Sequence, residues 1–258
     1  MQDAHAIFET GCATHVGQVR LRNEDSLLAR PDAGIWAVAD GMGGHADGDV
    51  ASQTVIRALE SIGRPASADA LLDRIEDSIA RVNVRLRALG EERGAIVGTT
   101  VAVLLARDGY YACLWSGDSR IYLIRDGAIA QLSRDHTEVQ DLLAAGSITD
   151  EEARTWAGRN GVTRAIGVYD EPELEMTSGP LRPGDAFVVC SDGLTNHVAE
   201  DEILRCVSAH LSQPACDALI ALTLARGARD NVTVVIARYR AAEHGSAGQT
   251  SDVREQAE

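Results

Sequence analysis

"GTTVAVLLARDGYYACLWSGDSRIYLIRDGAIAQLS", residues 98–133, carries two Arg-Asp-Gly triplets, each set between runs rich in Val, Ile, Leu and Tyr. Asp-Gly between such runs is a strong short-range hairpin signal. The stretch reads as an antiparallel β-meander, with Asp108 and Asp126 as turn residues. Upstream, residues 6–17 and 34–40 form two short β-type runs, and residues 47–62 place Val55, Leu59 and Ile62 at helical spacing. A longer helix follows Ser67 as N-cap, where Leu71, Ile75, Ile79, Val82, Leu86 and Leu89 form one apolar stripe ending at Gly90. Downstream, residues 137–159 read as an exposed helical insertion, with Thr149 and Glu152 spaced as a capping box. Strands resume at 174–177 and 185–192, two helices cover 201–226, and "NVTVVIARY" (231–239) closes the fold. Residues 241–258 are small and polar and read as a disordered tail. Antiparallel strands in the middle and helix pairs near both ends predict an α+β fold: a four-layer α-β-β-α sandwich of two antiparallel sheets flanked by helix pairs.

Composition excludes several functions. The 258 residues carry a net charge of −15 and no lysine, so all 24 basic residues are arginines. Nucleic-acid binding through a basic face is disfavoured, and mechanisms built on a P-loop, kinase or Schiff-base lysine are ruled out. No apolar run approaches the roughly 18 residues of a spanning helix, and the first ten residues lack the pattern of a secretory leader. The expectation is a cytoplasmic protein with no membrane partner. The five cysteines, never spaced C-x-x-C, suggest neither a disulfide framework nor a zinc ribbon.

Four acids stand apart from the hairpin aspartates. Asp40 ends "IWAVAD", Asp118 ends "YACLWSGD", Asp192 ends "FVVCSD", and Asp230 precedes "NVTVVIARY". Any one Asp-Gly pair reads ordinarily as a turn or helix cap. Four at the ends of strands in stacked sheets would lie together, repel one another, and call for a hard divalent cation such as Mg²⁺ or Mn²⁺. A calcium loop of the EF-hand type starting at Asp47 lacks the required glycine and glutamate. Near the N-terminus, "GQVRLRNEDS" offers Glu24 and Asp25 as further metal-directed acids and Arg20 as a phosphate-binding guanidinium, or else a charged surface turn.

"RLRNED" (20–25), "VADGMGG" (38–44), "GTT" (98–100), "GDSR" (117–120), "TRAIG" (163–167), "SDGL" (191–194) and "RDNVT" (229–233) occur in the order found in metal-dependent protein phosphatases of type 2C. The resemblance covers roughly residues 8–240, and the bacterial branch is most similar. It implies the sandwich already read, one catalytic domain over residues 1–240, and a substrate-selecting flap over 137–159. By resemblance, Asp40 bridges two Mn²⁺ or Mg²⁺ ions, the Gly41 carbonyl binds one, and Asp192 and Asp230 bind the other. Glu24 and Asp25 would hold metal-bound waters, and Asp118 with Asp192 would take a third, weaker ion. Arg20 would grip the phosphate, so Arg20, Asp40 and Asp192 are the expected catalytic residues. The implied reaction is hydrolysis of phosphoserine or phosphothreonine by a metal-bridging water. Phosphorylated proteins, a bacterial Ser/Thr kinase and its substrates are the implied partners of a monomer.

Two features depart from the family. Met42 stands where many eukaryotic relatives have a proton-donating histidine, leaving water, or His45 three residues on, as the acid. Trp156-Ala157 replaces the His-Pro common in the bacterial flap. Rival readings are a cysteine phosphatase, which needs C-x5-R and finds Asn196 at that place after Cys190, and a catalytically weak phosphoprotein-binding module of the same fold. A third is a phosphatase of small metabolites.

Overall fold

A computed structural model describes residues 7–43, 47–63, 67–156, 158 and 161–240, the side chains of Ile7 and Arg154 excepted. The expectations for His45, Ala157 and the 241–258 tail lie outside the described residues. In chain order the elements are β1 (Ile7–His15), β2 (Asp25–Arg30), β3 (Ile35–Gly43), α1 (Gly48–Glu60), α2 (Ala68–Arg93), β4 (Val97–Thr99), β5 (Val101–Arg107), β6 (Tyr110–Ser116), β7 (Arg120–Arg125) and β8 (Ala128–Gln131). There follow α3 (Glu138–Ala144), α4 (Asp150–Thr155), β9 (Glu175–Pro180), β10 (Ala186–Cys190), α5 (Asp192–Thr195), α6 (Glu200–Ala209), α7 (Ser212–Ala225) and β11 (Val232–Arg240).

Both Arg-Asp-Gly triplets close hairpins. Asp108 and Gly109 have φ of 52° and 80°, and Asp126 and Gly127 of 52° and 77°. Positive φ at both central residues is the type I′ turn, whose twist matches that of the strands it joins. The stretch is nevertheless not one meander. β5 and β6 belong to a sheet ordered β2-β3-β5-β6-β9, whereas β7 and β8 belong to a second, ordered β1-β11-β10-β7-β8. Residues 117–119 therefore cross from one sheet to the other, and Asp118 lies on that crossing.

The central strands β3, β5, β7, β10 and β11 bury both faces, which explains their nearly unbroken apolar runs. In β3, Ile35, Ala37 and Ala39 pack with Val55 and Leu59 of α1 and Leu71, Ile75 and Ile79 of α2. The alternate residues Trp36 and Val38 join Leu104, Ile121, Phe187, Val189 and Val235 in a layer between the sheets. A third layer sets Val188, Val234 and Ile236 against Ile203 and Val207 of α6 and Leu219 of α7. Three apolar layers make four structural ones, as expected. Because side chains alternate along a strand, Asp40 shares the inner face with Trp36 and Val38.

Two local expectations need correction. The stripe of α2 starts at Ser67, whose side chain accepts from the Ala70 N–H, but the helix continues past Gly90 to Arg93 and ends at Gly94 in the left-handed conformation, φ 61°. A Cβ on Gly90 would stand 2.7 Å from the Ala95 carbonyl, so that glycine admits the returning chain instead of stopping the helix. β2 was not expected at all. Its burial repeats every three residues, so it lacks the alternation that marks a strand.

Candidate active site

β2 and β3 pair antiparallel with Asp25 directly opposite Asp40. Residues so placed point to the same face with Cβ atoms about 5 Å apart, and like charges there repel. Asp40 lies within β3 and not at its end, at the point where the strand changes partner. Up to Val38 the neighbour is β5, and from Gly41 it is β4. Between them Thr100 donates its N–H to the Asp40 carbonyl at 2.8 Å and its hydroxyl oxygen accepts the Asp40 N–H at 3.1 Å. The backbone of Asp40 is thus fixed while its carboxylate lines a cleft of about 350 Å³.

The same cleft is lined by Arg20, Glu24, Gly41, Met42, Asp118, Asp192 and Asp230. Of the site residues expected from the sequence, Arg20, Glu24, Asp40, Gly41, Asp118, Asp192 and Asp230 line this cleft; Asp25 does not line it but is buried beside its register partner Asp40, and the hairpin residues Asp108 and Asp126 do not line it. Asp118 follows β6, Asp192 opens α5 after β10, and Asp230 precedes β11, so acids from both sheets meet. Among the described residues, no three His, Cys, Asp or Glu side chains stand grouped so as to hold a metal ion as they are placed. Gly41 is fixed by close approach, since a Cβ there would stand 2.0 Å from the Gly48 carbonyl and 2.8 Å from that of Glu24.

Supporting residues escaped the sequence reading. Asn231 accepts the Glu24 N–H at 2.8 Å and donates to the carbonyls of Val16 and Arg22, both at 2.9 Å, fastening the Arg20–Asp25 loop to β11. Ser191 donates its hydroxyl to Asp25 Oδ2 at 2.8 Å, a bond from one sheet to the other. Asn196 holds Asp192 Oδ2 at 2.9 Å. His136 is buried on Trp115, accepts the Gly117 N–H through Nδ1 at 3.1 Å, and sets its other nitrogen 3.2 Å from Glu175, steadying the loop that carries Asp118. Ser191 and Asn231 stand inside quoted motifs and Asn196 two residues after one, whereas His136 lies far from any of them and gave no signal.

Burial and mutual repulsion raise the cluster's proton affinity. Burial first, then Asp25, Asp192 and Asp118, holds Asp40 well above the usual carboxylate range. Asp118 is pushed up to about 8 by burial and then by Asp192, and Asp25 to about 6, mainly by burial. Burial also raises Asp192 and Glu24. Arg20 donates to Asp230 Oδ2 at 2.7 Å, a bond that raises the guanidinium further. Asp25 Oδ1 is buried without a hydrogen-bond partner. Carboxylates crowded in this way, with one oxygen unsatisfied and, among the described residues, no thiolate or imidazole lining the cleft, suit a hard divalent cation. Cys190 is no nucleophile: burial pushes its thiol up to about 12.

Beside the cleft, and sharing Asp118 and Asp192 with it, lies a cavity of about 510 Å³ walled by Val139 and Leu143 of α3 and Ala153 of α4. The helical insertion thus stands next to the acids. Its capping box forms as expected, Thr149 and Glu152 each accepting the other's backbone N–H.

A family model described as protein phosphatase 2C matches residues 14–224. The serine/threonine protein phosphatase PstP of Mycobacterium tuberculosis is 39% identical over 224 residues, 86% of this chain and 43% of PstP, so the chain spans less than half the length of that relative. PppA, a key regulatory component of T6SS in Pseudomonas aeruginosa, superposes with a TM-score of 0.85 at 38% identity, covering 91% of this chain and 98% of PppA. The catalytic domain of PstP in complex with two manganese ions gives 0.82 at 36% identity, covering 90% and 98%. The order of the motifs, the two-sheet topology and the acids gathered between the sheets agree with these likenesses, and the chain belongs to the protein phosphatase 2C family.

Proposed function

We propose that the chain is a metal-dependent serine/threonine protein phosphatase, with residues 1–240 as its catalytic domain and 137–159 as a flap beside the site. The observation that carries this is the facing pair Asp25 and Asp40 at one end of the inter-sheet gap, met by Asp118, Asp192 and Asp230 and by the guanidinium of Arg20. The manganese-bound PstP domain supports two ions, Mn²⁺ or Mg²⁺, in such a site. Asp40 and the Gly41 carbonyl would hold one, with Asp40 shared; Asp192 and Asp230 would hold the other. Glu24 and Asp25 would act through water, and Asp118 would serve a third, weaker ion.

When bound, such a pair supplies Lewis acidity and a water acidified toward neutral pH for in-line attack on phosphorus. The chain's own residues do the rest. Arg20 spends one of its five N–H donors on Asp230, so others remain for the phosphoryl oxygens. Asp25, anchored by Ser191, leaves its second oxygen without a hydrogen-bond partner among the described residues. Met42 lines the cleft without a proton to give, so the leaving alkoxide takes its proton from water. The named activities of the bacterial relatives support phosphorylated proteins as substrates, and with them a Ser/Thr kinase whose products this enzyme reverses.

The test is hydrolysis of a phosphothreonine peptide and of p-nitrophenyl phosphate with Mn²⁺ or with a chelator. Turnover is expected only with metal, and Asp40→Ala or Asp192→Ala lowers kcat/KM by at least about a hundredfold. Equal activity in chelator, or full activity in either variant, would refute the reading.

A further inference from the structure

In a chain of net charge −15, three arginines gather on the outer helix pair. Arg57 of α1 and Arg81 and Arg85 of α2 line one groove of about 360 Å³, floored by Ala58 and the buried Val82. All three are exposed, and none forms an ion pair among the described residues. Among the described residues, Arg57 donates to the neutral Gln53 alone and Arg81 to the Ser78 hydroxyl alone. The contrast on the same helix is direct: Arg87 pairs with Asp170 and Arg93 with Asp47. Guanidiniums converging from two walls, with donor capacity unspent, suit a multiply charged oxyanion. The groove is larger than a single phosphate fills and open along the helices, which favours a segment of chain over a free ion.

The groove's place relative to the cleft fixes a length. α1 begins at Gly48, whose carbonyl stands against Gly41 in the cleft, and runs away from it. Arg57 lies nine residues further along α1, about 14 Å at 1.5 Å per residue. The ion pair between Arg93 and Asp47 sets the end of α2 beside the start of α1, so the helices are antiparallel and Arg81 and Arg85 lie toward the far end with Arg57. An extended segment needs about five residues to cover that distance.

Resting on the reading that substrates are phosphoproteins, we propose that this groove docks a second phosphorylated residue of a multiply phosphorylated substrate, five or more residues from the one in the cleft. A phosphate group carries close to two charges at neutral pH and offers three acceptor oxygens to the arginines. The groove thereby favours substrates phosphorylated at more than one site over those with a single phosphate.

The experiment compares the Mn²⁺-loaded enzyme with the combined variant Arg57→Gln, Arg81→Gln, Arg85→Gln. Glutamine keeps helix propensity close to that of arginine at these exposed positions, and thermal unfolding verifies that the fold is retained. Three substrates are used: p-nitrophenyl phosphate, a phosphothreonine peptide, and the same peptide with a second phosphothreonine about six residues away. In the unsubstituted enzyme the doubly phosphorylated peptide is expected to show the lower KM for its first cleavage. The variant raises that KM by about tenfold at low salt, leaves kcat unchanged and leaves the other two substrates unaffected, and the difference shrinks as ionic strength rises. Equal KM for the two peptides in the unsubstituted enzyme, or an equal loss on all three substrates in the variant, would overturn the proposal. Binding of inorganic phosphate that is lost in the variant while peptide preference stays the same would make the groove a small-anion site and overturn it as well. Turnover of p-nitrophenyl phosphate with neither peptide cleaved would sink the protein-substrate reading and the proposal with it.

Discussion

Asp25 and Asp40 face each other across two strands, and neither forms an ion pair with a basic side chain among the described residues. Their individual positions were legible in the sequence, Asp40 through the apolar run before it and Asp25 through its motif. Their opposition was not, because it depends on a register between strands of which one gave no signal. That opposition has a measurable consequence. Asp25 at about 6 and Asp118 at about 8 both lie above the ordinary carboxylate value near 4. The folded state therefore holds these protons more tightly than the unfolded chain, which releases them near pH 4. Below that pH both states are protonated and the cluster costs nothing. As pH rises through about 6 and then 8, the folded protein must ionise groups that burial and repulsion disfavour, and stability declines. In chelator the Tm should fall between pH 5 and 8.5, and saturating Mn²⁺ should remove most of the fall. Asp118→Asn should raise the chelated Tm at pH 8.5 by roughly 2–4 °C for each kcal/mol regained. A chelated Tm that is flat with pH and unmoved by the substitution would contradict this account of the cluster.

At the scale of elements, what was legible followed a simple period or a turn dipeptide. The hairpins were marked by Asp-Gly, and the buried stripe of α2 by its spacing of three and four. β2 stayed hidden because it is an edge strand whose burial repeats in threes. The far end of β3 was hidden for a different reason: beyond Asp40 it runs Gly41-Met42-Gly43 against a strand of three residues, Val97–Thr99, and neither carries an apolar pattern. Yet that end sets the cleft, because Gly41 is where β3 touches the first turn of α1. Gly41→Ala would drive a methyl group into the Gly48 and Glu24 carbonyls, both backbone, so the start of α1 has to move. The expected result is a loss of about 1–3 kcal/mol in stability and at least a tenfold fall in kcat/KM. Gly63→Ala, at a position with nothing within 4 Å, serves as the control and should change neither. Matching behaviour of the two variants in both unfolding and kinetics would show that the β3–α1 contact does not shape the site.

The whole molecule holds its acids on two bodies. Asp25 and Asp40 ride on one sheet, Asp192 and Asp230 flank strands of the other, and Asp118 lies on the crossing between them. The distance between the two sets depends on how the sheets are spaced, and the layer around Trp36, Leu104, Phe187 and Val235 sets that spacing at about 10 Å. Metal affinity and core packing should therefore be coupled in this layer and uncoupled in the outer ones. Phe187→Ala removes a fully buried ring between the sheets, and Leu219→Ala an equally buried side chain between α7 and the outer face of its sheet. Each should cost about 3–5 kcal/mol, so unfolding alone will not tell them apart. Binding of Mn²⁺ will. Phe187→Ala lets the sheets settle toward one another and should weaken Mn²⁺ binding, followed by calorimetry well below Tm, by about tenfold, whereas Leu219→Ala should leave it within about twofold. Equal Mn²⁺ affinity in the two variants would mean that the acids are positioned by their own loops and not by the packing of one sheet on the other.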